Sequence, residues 1–297
     1  MSIFAAITEF DMEVRAKKAL GQHFLTDQRI ARAIVDALEI PGQAGNDGKG
    51  QAENDVMAGL TGHLDVLEIG PGMGVLTQYL LEREDIDLKL VEIDGESVEY
   101  LLTHFAGMQG RLLQADFLTL PLERVFPGRF AVIGNFPYNI SSQIFFKILD
   151  NRERIPEVVC MIQKEVAERI AEGPGSKTYG ILSVLLQAWY DIEFLFGVGP
   201  GCFAPPPKVD SAVIRLTRNG RTSLGCDDKL FTSIVKTAFG QRRKMMRNPL
   251  KPFAKAKAQR EGWSDDELTA FLADPVFERR PETLSVEDFI ALTNLLA

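Results

Sequence analysis

The stretch LDVLEIGPGMGVLTQYLLER, residues 64–83, decides the fold. Its first six residues form an apolar, strand-forming run of the kind buried on both faces of a parallel sheet. Gly70, Gly72 and Gly74 then break the run, and helical spacing resumes in VLTQYLLER. Glycines in a strand-to-helix turn let backbone pass close to a ligand, and a helix start offers unpaired amides. A dinucleotide dehydrogenase carries a similar turn, so this stretch alone predicts a nucleotide-like ligand without choosing one.

Working outward, strands are predicted at DLKLVEID (87–94), RLLQAD (111–116), RFAVIGN (129–135) and EVVCMIQ (157–163), with helices near Glu96–Phe105 and Ile140–Leu149. Strands alternating with helices imply an α/β fold: a parallel sheet with helices on both faces, its ligands at the carboxyl ends of the strands. Tyr190–Phe196 and Ser211–Thr217 follow closely with no helix between them, which predicts an antiparallel addition to the sheet edge. Upstream, Ile30, Ile34, Val35 and Leu38 lie at helical spacing after a cap at Thr26 or Asp27. Residues 41–63, rich in Gly, Asn and Asp, are expected to be a flexible insertion. From about Asn219 the pattern is helical: LFTSIVKTAF, then segments near Asp265–Leu272 and Val286–Leu296. The expected division is a larger α/β domain at 1–222 and a small helical domain at 223–297.

The chain has 297 residues, ample for such a core. No apolar run reaches the ~20 residues of a membrane helix, and the N-terminus lacks the pattern of a secretory leader. Three scattered cysteines, Cys160, Cys202 and Cys226, suggest neither a disulfide framework nor a zinc site, so a reducing, cytoplasmic setting without metal is expected. The net charge of −8 hides an asymmetry: Lys229 to Arg260 holds ten Lys and Arg and no Asp or Glu. A solvated helical face and a phosphate-binding face both fit that run.

The candidate chemistry lies at strand ends. Glu92, about 20 residues after the glycines, suits two ribose hydroxyls. Asp116 suits a cofactor adenine amine, or a simple cap. Asn135-Phe136-Pro137-Tyr138 is the sharper signal. An adenine amine is a poor nucleophile, because its lone pair is delocalised into the ring. The Asn135 oxygen and a carbonyl of the Pro137-flanked backbone can accept its two N–H bonds, which favours a pyramidal nitrogen aimed at a methyl group. Tyr138 offers a face on which an extruded base can stack. No strong base is needed, so catalysis would be positioning and electrostatics.

In these residues the chain resembles the ribosomal RNA adenine dimethyltransferases. LGQHFLTD (20–27), LEIGPGMGVLT (67–77), VEID (91–94), ADFL (115–118), NFPYNISS (135–142) and CFAPPPKVDSAV (202–213) run in family order over about 20–250. The resemblance implies a Rossmann-like class I S-adenosylmethionine-dependent methyltransferase sheet with a small C-terminal helical domain. It implies cofactor contacts from His23, Leu25, Gly70, Gly72, Glu92, Asp116 and Asn135, with Asn135, Pro137 and Tyr138 catalytic. Phe203 would be a second aromatic wall for the target base, and Lys208 and Asp210 would organise their loop. The family often has Asn at the place of His23 and N-L-P-Y at the place of N-F-P-Y. His63 and His104 read as surface residues.

The segment AFGQRRKMMRNPLK (238–251) is closest to the bacterial small-subunit branch and its eukaryotic counterparts, whose helical domain is similar there. By that resemblance Arg242, Arg243, Lys244 and Arg247 would neutralise rRNA phosphates. The expected partner is the small ribosomal subunit with its 16S rRNA, and the enzyme is expected to be monomeric. A large-subunit methyltransferase, a non-catalytic assembly or transcription factor and a Rossmann dehydrogenase are the alternative readings.

Overall fold

The computed structural model describes residues 14–17, 20–39 and 63–297, so most of the expected 41–63 insertion lies outside the described residues. The chain enters through a two-residue strand β1 (Phe24–Leu25) and helix α1 (Gln28–Asp36), whose Asp27 cap accepts from the Arg29 and Ile30 amides. Strands β2 (Leu64–Ile69), β3 (Ile86–Glu92), β4 (Leu112–Gln114), β5 (Ala131–Asn135) and β6 (Glu157–Gln163) follow. Between them lie α2 (Thr77–Leu80), α3 (Gly95–His104) and α4 (Ser141–Asp150). Next come α5 (Lys164–Ala171), α6 (Ile181–Gln187), β7 (Tyr190–Val198), β8 (Phe203–Ala204) and β9 (Ser211–Arg218). The C-terminal helices are α7 (Asp228–Gly240), α8 (Lys251–Glu261), α9 (Asp265–Phe271) and α10 (Val286–Leu296).

The seven-stranded sheet has the order β4-β3-β2-β5-β6-β9-β7. The first five strands are parallel, while β9 runs antiparallel to β6 and β7 antiparallel to β9, as expected of the two late strands. The remaining strands, β1 and β8, form a separate antiparallel ladder, Phe24 opposite Ala204 and Leu25 opposite Phe203. That ladder ties the N-terminal segment to the Pro-rich loop.

Alternation along the strands builds two apolar layers. Leu67, Ile69, Val132, Val158, Cys160 and Ile162 face one cluster, and Val66, Ala131, Ile133, Val159 and Met161 face the other. Side chains of neighbouring strand residues point to opposite faces, so an apolar run with no polar gaps demands cover on both. α1 supplies Ile34 and Val35 to one layer. α4 supplies Ile144, Phe145 and Ile148 to the other, which continues into the C-terminal helices through Phe231, Ile234 and Phe289. Each such fully buried side chain contributes about 1.5–3 kcal/mol of transfer free energy.

Three local expectations are corrected. VLTQYLLER makes only the short α2, because much of its length is spent turning out of the glycines. α5 and α6 stand where the sequence pattern predicts no helix: both are short and sit beside stronger strand signals. The basic Gln241–Leu250 segment is a series of turns between α7 and α8 rather than a helix.

Candidate active site

The order of strands reverses direction at β2, which has β3 on one side and β5 on the other. Connections leave such a point on opposite faces and open a crevice at the carboxyl ends of the strands. A cavity of about 700 Å³ occupies that crevice, lined by the β2 glycine turn, the ends of β3, β4 and β5, and residues 20–25 and Gln28 of the N-terminal segment. Its lining includes His23, Leu25, Gly70, Gly72, Glu92, Asp116, Asn135, Pro137 and Tyr138. Nine residues scattered over more than a hundred positions are thus brought to one site.

The glycine turn is shaped for close approach. Gly72 has φ +56°, in the left-handed region, and a Cβ there would lie 2.9 Å from the Phe24 ring. Its amide donates to Glu92 Oε2 at 3.1 Å, and the Asp94 amide donates to Glu92 Oε1 at 2.9 Å. Glu92 is therefore held from behind, while its carboxylate retains acceptor capacity for hydroxyl donors. Burial pushes its carboxyl above the ordinary range, and the two amides oppose that shift.

Glu68, unmarked by the sequence reading, sits beneath the same turn. It is fully buried, accepts the Thr77 hydroxyl at 2.7 Å, and its pKa is pushed up to about 8 by desolvation. It is therefore a neutral acid near pH 7. The available signal was an acidic residue inside a strand that must be buried on both faces. Ile93 and Phe117 also line the cavity and add apolar surface near Asp116. Asp116 caps its own turn through the Leu118 amide at 2.8 Å. His104, expected at the surface, is exposed but lines the cavity rim and stacks on Tyr100 at 4.0 Å.

At the end of β5, the Asn135 side-chain Nδ2 donates to the backbone carbonyl of His23 at 3.0 Å. The other end of that amide, Oδ1, is buried and has no hydrogen-bond partner among the described residues. An orphaned buried acceptor costs about 1–3 kcal/mol, so its retention in the cavity wall marks a place where a donor is meant to arrive. Tyr138 follows, half-buried, its hydroxyl hydrogen-bonded to that of Ser211 and its ring stacked on His23 at 5.5 Å. Burial raises the Tyr138 pKa, so the phenol stays neutral.

Phe203 lies outside the cavity lining and is buried, because its place opposite Leu25 in the β1–β8 ladder puts it in the core with Val198 and Val213. Lys208 and Asp210 are exposed on the Pro-rich loop, where the Asp210 carbonyl accepts the Lys164 amide at 2.9 Å. Of the basic residues, Arg243, Lys244 and Arg247 are exposed, whereas Arg242 is half-buried and donates to the Ser176 carbonyl at 3.1 Å. Among the described residues no cluster of His, Cys, Asp and Glu is arranged to hold a metal, and no helix is long and apolar enough to cross a membrane.

The family profile for ribosomal RNA adenine dimethylase matches residues 13–268. The chain belongs to this family. Among curated relatives, the ribosomal RNA small subunit methyltransferase A of Parabacteroides distasonis is 54% identical over 280 residues, covering 94% of this chain and 93% of its own length. The protein of the same name from Porphyromonas gingivalis is 52% identical over 287 residues, covering 96% and 99%. A dimethyladenosine transferase from Plasmodium falciparum shares the fold, with TM-score 0.68 and 22% identity over 91% of this chain and 96% of its own. The 23S rRNA methyltransferase ErmE follows with TM-score 0.58, 25% identity and 91% and 99% coverage. An adenine dimethylase needs a pocket for a methyl donor continuous with a stacking surface for a base, and one cavity here runs from the glycine turn to Tyr138.

Proposed function

We propose that this member of the rRNA adenine dimethylases transfers methyl groups from S-adenosylmethionine to the exocyclic amines of two adjacent adenosines near the 3′ end of small-subunit (16S) rRNA, during subunit assembly. The observation that carries this reading is the unpartnered Oδ1 of Asn135, placed beside Tyr138 in the cavity wall.

The residues present fit the donor. Glu92 would take its ribose hydroxyls, Asp116 its adenine amine, and Gly70, Gly72 and Leu25 would border its methionine part. His23 lines the same cavity from the N-terminal segment. When bound, S-adenosylmethionine supplies an electrophilic methyl group on a sulfonium. The protein's own contribution lies in the acceptor. Tyr138 stacks the extruded adenine, and its ring is held in place by the hydroxyl contact to Ser211. Asn135 Oδ1 accepts one amine N–H, drawing the lone pair out of the ring and aiming it at the methyl group. Proton loss from the methylated nitrogen needs no buried base, which agrees with the neutral Tyr138.

Exposed Arg243, Lys244 and Arg247 would bind rRNA phosphates, making 223–297 the substrate-docking part and 1–222 the catalytic part. Small-subunit relatives above 50% identity, against 25% for ErmE, support the small-subunit target. Asn135→Ala tests the reading. Methyl transfer should fall on the order of 10²-fold or more, as when a preorganised polar group is removed from a reaction centre, while the folded protein still binds S-adenosylmethionine. Wild-type transfer by that variant would refute it.

A further inference from the structure

The turn that carries Asp116 is folded around that residue. The amides of Thr119 and Leu120 donate to its backbone carbonyl at 3.1 and 3.0 Å, and the Leu118 amide donates to its Oδ1 at 2.8 Å. Asp116, Phe117 and Leu118 all line the cavity. A lone helical turn is marginal, because it fixes several backbone dihedrals for few hydrogen bonds. Its shape therefore depends on what holds it from outside.

Lys147 of α4 supplies that hold. Its Nζ donates to the carbonyls of both Phe117 and Leu120, one near the start of the turn and one at its end, and lies 4.9 Å from the centroid of the Phe117 ring. An ammonium carries three donors on one centre, so it can close such a turn as a clip. The lysine is half-buried, and desolvation lowers its pKa while Asp116 and Glu123 pull the other way. Drawing an ammonium from water costs free energy, which the two carbonyls and the ring offset. α4 also begins directly behind the acceptor segment: the Ile140 amide donates to the Pro137 carbonyl at 3.2 Å, and the Ile144 amide to the Ile140 carbonyl at 3.0 Å. One helix thus follows Asn135–Tyr138 at its start and grips the Asp116 turn nearer its end.

We infer that Lys147 is a positioning residue for the methyl donor: by clamping the Phe117 and Leu120 carbonyls to α4, it fixes Asp116 where an amine-bearing purine satisfies it, and so sets the preference for adenine over hypoxanthine. Lys147 is outside the cavity lining and acts through the turn. This rests on the reading of Asp116 given above.

The test compares S-adenosylhomocysteine with S-inosylhomocysteine, in which a ring carbonyl replaces the adenine amine and meets Asp116 acceptor to acceptor. Wild type should bind the adenosyl compound on the order of tenfold or more tighter by calorimetry, the scale of one hydrogen bond to a charged group. Lys147→Met keeps the apolar stem without the donors. It should lose most of that preference, and its KM for S-adenosylmethionine should rise about tenfold with kcat within about threefold of wild type, the pattern of lost uniform binding. Lys147→Arg keeps donors for both carbonyls and should retain the preference. In an Asp116→Ala background, Lys147→Met should change the preference by less than about twofold, since the two residues act as one unit. An unchanged preference in Lys147→Met, an equal loss in Lys147→Arg, or an equal effect of Lys147→Met with and without Asp116 overturns the inference. Asp116→Ala alone separates the two levels. If it abolishes the preference while Lys147→Met keeps it, only the clamp fails; if it keeps the preference, or wild type shows none, the reading of Asp116 beneath the inference fails.

Discussion

Gly134 lies so close to Ile69 that a Cβ built on it would stand 2.5 Å from the Ile69 carbonyl oxygen. Both residues belong to the ends of neighbouring strands, where the β2–β5 ladder stops at Glu68 opposite Ile133. Past that point the strands part and the cavity begins. Gly134→Ala should therefore push β5 off β2 one residue before Asn135. Overpacking of this kind costs typically 1–3 kcal/mol, so thermal melting should show a lower Tm, together with a loss of methyl transfer larger than the stability change explains. A variant with unchanged Tm and activity would mean that the strand ends yield freely.

Gly72 makes a different demand. At φ +56° and with the Phe24 ring 2.9 Å from a built Cβ, Gly72→Ala meets both backbone strain and a clash with the N-terminal segment. Its amide also braces Glu92. Calorimetry should show S-adenosylmethionine affinity reduced by about tenfold or more, equivalent to at least ~1.4 kcal/mol.

The pH dependence follows from two buried acids. The carboxyl of Glu68 is raised to about 8 and that of Glu157 to about 7, each chiefly by desolvation. Their folded values exceed the unfolded ones, so between about pH 4.5 and 8 the native state binds protons that the unfolded state has released, and stability falls as pH rises. Glu68→Gln and Glu157→Gln cannot ionise. In chemical denaturation each should be more stable than wild type at pH 8.5, and the gap should shrink toward pH 4.5. A gap independent of pH would show that these carboxyls titrate normally.

The basic turns are predicted to separate into docking residues and a scaffold residue. Replacing Arg243, Lys244 and Arg247 by Ala should weaken small-subunit binding, with the slope of log K against log salt shallower by about two to three, near 0.7–0.9 per lost phosphate contact. Arg242→Ala instead removes the bond to the Ser176 carbonyl. It should lower stability on the order of 1 kcal/mol, with a smaller change in salt slope.

The sheet was legible because its strands are buried on both faces: an apolar run such as Glu157–Gln163 leaves little room for another reading, and its limits agree with the structure. α10 was equally clear, its Ser285 and Asp288 forming a capping box ahead of an apolar stripe. α5 and α6 were not, since short helices gain their stability from partners that no local window contains. The site divides the same way. Strand-end residues Glu92, Asp116 and Asn135 could be placed because the topology sends them to one edge. The burial of Phe203 depended on a two-residue ladder across 178 positions of separation between Leu25 and Phe203, and the pairing of Asn135 with His23 on a backbone carbonyl, which carries no sequence signal. Glu68 escaped notice because its meaning lies in its burial.

The most direct test of the central claim is methyl transfer from labelled S-adenosylmethionine to unmethylated small ribosomal subunits, alongside naked 16S rRNA and large subunits, with the modified nucleosides identified by mass spectrometry. The account predicts N6,N6-dimethyladenosine at two adjacent positions near the 3′ end of the small-subunit rRNA, and none in large subunits. Label in the large-subunit rRNA alone, or no dimethyladenosine in any substrate, would contradict it.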